Sequence, residues 1–212
     1  MRQRFEAIYT AALADILDAR GYRAQTLPPQ IRPLAPGVRL AGPAYTVRGR
    51  PAETSDHDEA LRKVLRMLGD VPAVHVAVYA CAHGVSAHLG ELSVTSLKAR
   101  GVAGCVLDGG CRDVRFILDE GFPVFSRFVT PEDSTWRWAL EETQVPVTIG
   151  RVRIEPGDWV VGDDDGVVVV PGALAESVLA EAEAKAATEG EIRRAVREGM
   201  TPLDAYERFG TF

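Results

Sequence analysis

Cysteine is scarce in this chain of 212 residues: there are three, Cys81, Cys105 and Cys111, an odd number with no CxxC spacing. That pattern argues against a disulfide framework and against a cysteine-built structural zinc site. An excess of positive charge is also missing. The 24 Lys and Arg against 30 Asp and Glu leave a net charge of −6, which gives no general attraction to nucleic acid or to an anionic membrane. No apolar run approaches the length of a bilayer span. Met1 to Arg20 carries charges throughout and lacks the apolar core of a secretory signal, so the cytoplasm is the expected compartment. Neither a phosphate-binding P-loop nor a G-x-G-x-x-G occurs, which leaves nucleotide binding without support. Repeats, low-complexity tracts and linkers are absent too, and a single domain over residues 1–212 is expected.

What the chain does have is 46% apolar and 25% charged residues, an ordinary globular balance. Apolar positions at helical spacing from Phe5 to Leu17 predict one helix over 4–20, ended by Gly21. Leu27 to Pro43 is proline-rich and reads as an extended connector, with a short strand over Ala44 to Arg48. Ser55, Asp56, His57 and Asp58 offer cap residues for a second helix that stops at Gly69. Ala73 to Tyr79 reads as a strand. A helix over 91–100, a strand over Val102 to Leu107, a helix over Asp113 to Glu120 and a strand over Pro123 to Phe128 then follow in quick succession. Such alternation implies right-handed crossovers and a largely parallel sheet. Farther on, Val145 to Ile154, Trp159 to Gly162 and Val167 to Val170 read as strands joined by turns, which predicts a second, hairpin-built sheet. A long helix over 173–198 carries an apolar stripe through Leu174, Val178, Leu179 and Ala182.

Two stretches carry chemistry. Leu107-Asp108-Gly109-Gly110-Cys111-Arg112-Asp113 places two glycines before an adjacent cation and carboxylate at a strand end, where α/β folds hold ligands. Arg112 can grip an anion with a planar fork of donors, and Asp113 can hold a hard cation. Upstream, Gly90 precedes a helix, so the amides of Glu91, Leu92 and Ser93 are expected to face a ligand carboxylate. Each has a plain alternative: a simple helix start at Gly90, a surface ion pair or helix cap at Arg112 and Asp113. Asp163-Asp164-Asp165-Gly166 lacks the ligand spacing of an EF-hand and reads as a hairpin turn with solvated carboxylates. His83 and His88 share no helix face, although His88 is close enough to Gly90 to line the pocket. Cys105 and Cys111 are expected to pack, as buried cysteines do; a nucleophilic Cys111 is the weaker alternative, since no His stands at an obvious spacing.

At these residues the chain resembles the class II pyruvate aldolases that cleave 4-hydroxy-4-methyl-2-oxoglutarate and 4-carboxy-4-hydroxy-2-oxoadipate, a superfamily that includes the regulator of ribonuclease activity A. The resemblance runs through Ile31-Arg32-Pro33-Leu34, Leu40 to Ala44, Gly90-Glu91-Leu92, Arg100 to Gly104, Asp108-Gly109 before Arg112-Asp113, Gly121 to Phe125, Pro156-Gly157-Asp158, Gly162 to Val167, and Pro171. It implies an α/β fold of the swivelling β/β/α sandwich type, assembled as homotrimers that sometimes pair into hexamers. By the same resemblance the backbone from Gly90 to Ser93 and the side chain of Arg112 bind pyruvate, Asp113 ligates Mg²⁺ or Mn²⁺, and Glu91 helps hold the metal's waters. An acid from a neighbouring subunit completes the site, Glu189 being the candidate here and Glu191 the second. The implied substrate is a 4-hydroxy-2-oxo acid, with decarboxylation of oxaloacetate as a side activity. The ribonuclease regulators commonly lack the metal-binding carboxylate that Asp113 supplies, which favours an enzyme over a non-catalytic regulator; a related 2-oxo acid decarboxylase or lyase is the third possibility. Ser93-Val94 stands where the family usually has an aliphatic residue and alanine, and the C-terminus extends through Tyr206 and Phe212.

Overall fold

A computed structural model describes residues 1–53, 56–82 and 84–212. The centre is β5 (Gly104–Cys111), every residue of which is buried. It runs parallel to β3 (Val76–Ala80) on one side and β6 (Val124–Val129) on the other, with the short β4 (Ala87–Leu89) joining its far end. Helices α4 (Glu91–Ala99) and α5 (Val114–Glu120) make the crossovers, giving the parallel βαβαβ core expected from the alternation. α3 (His57–Asp70) covers the same face; its start is set by Asp56, whose carboxylate accepts from the Glu59 amide. Ser55, also expected to cap it, lies outside the described residues.

The region 27–51 departs from expectation. Instead of a connector and a five-residue strand, β2 runs from Leu40 to Pro51. It changes partner along its length: antiparallel to β10 (Trp159–Asp163) at Leu40–Pro43, parallel to β3 at Ala44–Arg48, and antiparallel to β7 (Trp138–Thr143) at Val47–Pro51. Consequently the hairpin of β10 and β11 (Gly166–Val170) is continuous with the main sheet through β2. The path ends at β1 (Arg32–Pro33) on β6, and a bridge from Thr26 to Val168 nearly closes it. Among the described residues, only the hairpin of β8 (Val147–Ile149) and β9 (Val152–Ile154), expected as one strand, stands as a separate sheet. The fold class is as expected, mixed α/β with a parallel core and a hairpin-built sheet.

The N-terminal helix is two: α1 (Arg2–Ala7) and α2 (Thr10–Ala19), with Ile8 and Tyr9 extended between them. The break has a cause far along the chain. Asp163 accepts from the Thr10 amide at 2.8 Å and from its hydroxyl at 2.7 Å, capping α2 from outside the helix. After a 3₁₀ turn at Gly172–Leu174, α6 (Ala175–Arg197) lays Ala175, Val178, Leu179 and Ala182 into a core shared with α1, α2, β10 and β11. A further helix, α7 (Pro202–Phe209), was not expected, although Thr201 as N-cap, Pro202 at the first position and a left-handed Gly210 are its ordinary signals. Among the described residues no helix is long and apolar enough to cross a membrane.

Candidate active site at the ends of β4 and β5

The strand β5 continues four residues past the expected Leu107, so Asp108, Gly109 and Gly110 belong to the strand and form no ligand loop. Their small size serves packing. A Cβ on Gly109 would come within 2.7 Å of His88 Nδ1 and 2.9 Å of Cys81 Sγ, and one on Gly110 within 2.5 Å of Phe128 Cε2. The Asp108 carboxylate, 5% exposed, is held by the Arg127 guanidinium. The residues that emerge at the strand end are Arg112 and Asp113.

Asp113 sits in the left-handed region at φ +60°, a conformation that aspartate tolerates better than most residues. It occupies the N-cap position of α5 but does not cap that helix. Its Oδ2 turns instead to the start of α4 and accepts from the Glu91 amide at 3.1 Å. The Arg112 amide donates to Leu89 O at 3.0 Å, tying the end of β5 to the end of β4. Gly90 lies between them, and a Cβ there would stand 2.7 Å from Asp113 Oδ2 and 3.2 Å from Arg112 Nε. The expected convergence of Gly90, Glu91, Arg112 and Asp113 is therefore present, and glycine is what permits the close approach.

The Arg112 guanidinium is flanked by two carboxylates. Its Nε lies 3.6 Å from Asp113 Oδ2, and its Nη1 donates to Asp133 Oδ2 at 3.0 Å. Burial alone would push the Asp133 carboxyl up, but the Thr135 hydrogen bonds and the Arg112 charge outweigh it and hold the carboxyl below its ordinary range. Asp133 was not singled out from the sequence. An Asp-x-Thr turn after Pro131 was readable there; its pairing with an arginine 21 residues earlier was not. An open cavity of about 380 Å³ is lined by Arg112, Asp113, Val114, Val129 and Thr130, and the exposed Leu92 and Phe116 stand on the first turns of α4 and α5.

The other expected residues fall as follows. Leu92 and Ser93 lie on the first turn of α4, and no hydrogen bond occupies their amides among the described residues. The Glu91 side chain accepts from the Thr95 hydroxyl at 3.3 Å, one turn along its own helix. His88 is 7% exposed and lies edge-on to Trp138, centroids 4.9 Å apart, outside the cavity lining. Burial lowers its pKa to about 4, with the backbone of Gly110 and Ser86 pulling the other way. His83 lies outside the described residues. Cys81, Cys105 and Cys111 are buried, and burial raises all three thiols, so none is poised as a thiolate. In the Asp163-Asp164-Asp165 turn, Asp164 and Asp165 are exposed as expected, whereas Asp163 is buried and caps α2; Asp164 Oδ1 also accepts from the Gly37 amide at 2.8 Å. Glu189 accepts from the Tyr9 hydroxyl and lies 4.0 Å from Lys185 Nζ, so within one chain its partners are just before α2 and on α6 and not at Asp113.

Among the described residues no three His, Cys, Asp or Glu side chains come together as a preformed metal cage. That donor set does not suit zinc. A half-exposed carboxylate in an open, solvent-reached site suits Mg²⁺ or Mn²⁺, hard ions that keep most of their waters and take one or two carboxylates with the rest from substrate.

Comparison with known proteins bears on the family and the fold. A family model described as RraA-like, aldolase/RraA, matches residues 10–169. A protein of Halalkalibacterium halodurans named "Putative 4-hydroxy-4-methyl-2-oxoglutarate aldolase" is 32% identical over 204 residues, covering 96% of this chain and 91% of that protein. Among solved structures, an uncharacterized protein from Pseudomonas syringae pv. tomato superposes with a TM-score of 0.88 at 32% identity, over 97% of this chain and 92% of its own. Streptomyces coelicolor RraAS2, described as an unusual member of the RNase ES inhibitor RraA protein family, superposes with a TM-score of 0.81 at 31% identity, over 91% and 96%. The chain belongs to the RraA-like, aldolase/RraA family.

Proposed function

We propose that this protein is a divalent-metal-dependent aldolase that cleaves a 4-hydroxy-2-oxo acid, of the 4-hydroxy-4-methyl-2-oxoglutarate kind, to pyruvate and a second oxo acid. The observation that carries the reading is the meeting of the Asp113 carboxylate and the Arg112 guanidinium at the glycine-led N-terminus of α4. Asp113, with waters, would hold Mg²⁺ or Mn²⁺, which supplies Lewis-acid polarisation of the 2-oxo group. The amides that open α4 and the Arg112 fork bind the substrate carboxylate. When the C3–C4 bond breaks, its electron pair passes into the pyruvate enolate, whose oxygen gains charge beside Arg112. The C4 hydroxyl proton leaves to a water ordered by acidic side chains, Glu91 in the same chain and Glu189 from a second copy. C3 is then reprotonated to give pyruvate. Oxaloacetate loses carbon dioxide through the same enolate, so decarboxylation is the expected side activity.

In this reading the active unit is a homotrimer in which Glu189, engaged by Tyr9 and Lys185 away from Asp113 within its own chain, reaches the site of a neighbouring copy. Chelator treatment should abolish pyruvate release from the aldol substrate or from oxaloacetate, and Mg²⁺ or Mn²⁺ should restore it; full turnover in excess chelator overturns the proposal. The likeness to RraAS2 favours a second reading, a non-catalytic regulatory protein on the same fold. A metal-independent null result on oxaloacetate and on a panel of 4-hydroxy-2-oxo acids would select it. Metal-dependent release of carbon dioxide with no aldol cleavage would instead select a related 2-oxo acid decarboxylase.

A further inference from the structure

An arginine that must recognise a planar anion works only if its fork is held in one plane, and a half-exposed guanidinium on a flexible stem is not held by its own backbone. Arg112 has 39% of its side chain exposed, and it stands between the end of β5 and the start of α5 with its stem beside Gly90. The contact that fixes the fork is the 3.0 Å hydrogen bond from Nη1 to Asp133 Oδ2. Asp133 is itself anchored. Its other oxygen, Oδ1, accepts from the Thr135 amide and the Thr135 hydroxyl, each at 2.7 Å. Its carbonyl accepts from Arg137 Nη1 at 3.1 Å. The backbone around it is bridged to β4, with the Ala87 amide donating to Glu132 O at 2.8 Å. A path therefore runs from β4, the strand that leads into Gly90, through the 132–135 turn, to one end of the guanidinium. Nη2 keeps no hydrogen-bond partner among the described residues, which leaves it for an incoming carboxylate.

We propose that Asp133 is the positioning residue of this site: it sets the plane and reach of the Arg112 fork for the carboxylate of the 2-oxo acid. The proposal rests on the aldolase reading above and assigns Asp133 no contact with substrate. Its effect must therefore pass through Arg112, which a double-mutant cycle measures directly.

The test uses oxalate, a planar mimic of the pyruvate enolate, titrated calorimetrically into the full-length protein with saturating Mg²⁺, beside steady-state turnover of oxaloacetate. Asp133→Ala should weaken oxalate roughly tenfold, the scale of coupling between contacting residues, and lower kcat/KM by a similar factor while the melting temperature holds within a few degrees. Asp133→Asn keeps one acceptor oxygen, which can face Nη1 only at the expense of the Thr135 amide bond, and should recover part of the affinity. In an Arg112→Gln background, Asp133→Ala should change oxalate affinity less than twofold. Equal losses from Asp133→Ala with and without Arg112, or equal impairment of the Ala and Asn variants, would overturn the proposal. So would wild-type affinity in Asp133→Ala. The aldolase reading fails differently: Arg112→Gln would then bind oxalate as well as wild type does.

Discussion

Replacing Gly90 by alanine tests the core of the site with a single methyl group. Gly90 has φ −134° and ψ −176°, extended values that alanine adopts without strain, so the backbone itself charges nothing for the change. The cost is steric and local. The new Cβ would stand 2.7 Å from Asp113 Oδ2, 3.2 Å from Arg112 Nε and 3.3 Å from Arg112 Cγ. Relief requires Oδ2 to retreat by about half an ångström, which stretches the 3.1 Å bond from the Glu91 amide to about 3.6 Å, beyond useful hydrogen-bond range. Losing one such bond at a half-exposed carboxylate costs about 1 kcal/mol. For a chain of this size that is a fall of roughly 2–4 °C in melting temperature.

The effect on chemistry should be larger, because catalytic groups tolerate only about half an ångström of misplacement and a full ångström can cost about a hundredfold. We expect kcat/KM for oxaloacetate to fall at least tenfold, measured by pyruvate release, while thermal melting moves only slightly. Gly110→Ala is the comparison. Its Cβ meets the partly buried Phe128 ring at 2.5 Å, so overpacking there should cost about 1–3 kcal/mol of stability. Turnover within twofold of wild type in Gly90→Ala would refute the argument that this glycine is kept bare by Asp113. A melting loss of ten degrees or more would show that the methyl is felt by the fold and not by the site.

Asp113→Asn keeps the size, suits the left-handed backbone and retains an acceptor for the Glu91 amide, so melting should hold while metal-dependent turnover drops by orders of magnitude; appreciable residual activity would remove Asp113 from the metal site. Arg112→Lys loses the planar fork, and kcat and kcat/KM should fall together by an amount equivalent to about 2–4 kcal/mol; a rise in KM alone would limit Arg112 to binding. Mixing inactive Asp113→Asn with inactive Glu189→Ala chains should restore part of the activity through sites built from two copies, and persistent inactivity despite proven subunit exchange would rule the shared site out. His88, with a folded pKa of about 4 against about 6.5 unfolded, binds its proton more readily in the unfolded chain. Its contribution is therefore complete above pH 6.5 and is lost as pH falls toward 4, by up to about 3 kcal/mol. Urea midpoints at pH 7 and 4.5 should converge between wild type and His88→Gln, and parallel curves would contradict this.

What the sequence made legible was whatever is decided within a few residues. Runs of valine and alanine marked β3, β10 and β11, and the alternation around Gly101 and Gly121 marked α4, β5, α5 and β6. The failures share a cause: their determinants are distant in sequence. The break before Thr10 exists because Asp163 arrives from 153 positions away. The first residues of β2, Leu40-Ala41-Gly42-Pro43, look like a connector, yet Gly42 is demanded by close contact. A Cβ there would lie 2.5 Å from Val74 O, while the partner strand, β10, comes more than a hundred residues later. β7 was invisible because only Trp138 on it is fully buried, so it shows no clean alternation.

The site divides along the same line. Gly90 and the Arg112-Asp113 pair could be found because each is a local pattern, a glycine before a helix and a charge pair at a strand end. Gly109 and Gly110 were placed beyond the strand end because a glycine pair looks the same in sequence whether it opens a loop or makes room within a strand for the His88 and Phe128 rings. Asp133 showed only the pattern of a turn, and nothing local linked it to Arg112, whose charge it shares with Asp113.

Those electrostatics bear on the choice between enzyme and regulator. One guanidinium is shared by two carboxylates, Asp113 at 3.6 Å and Asp133 at 3.0 Å, so the cluster carries a net charge of −1 before any ligand enters. A 2-oxo acid brings at least one more negative charge. Against an uncompensated carboxylate about 4 Å away it would meet repulsion of about 4 kcal/mol at the effective dielectric of a protein surface. That opposes what the Arg112 fork can return, since one arm of the fork is already spent on Asp133. A divalent cation at Asp113 reverses the sign of the balance, taking the cluster from −1 to +1, and only then is the site attractive to an anion. A non-catalytic surface has no need of a carboxylate held in a left-handed backbone beside its own arginine. A metal-assisted aldolase does, because the same charge that repels substrate from the bare site recruits the ion that makes the site work. This balance supports the metal-dependent reading over the regulatory one.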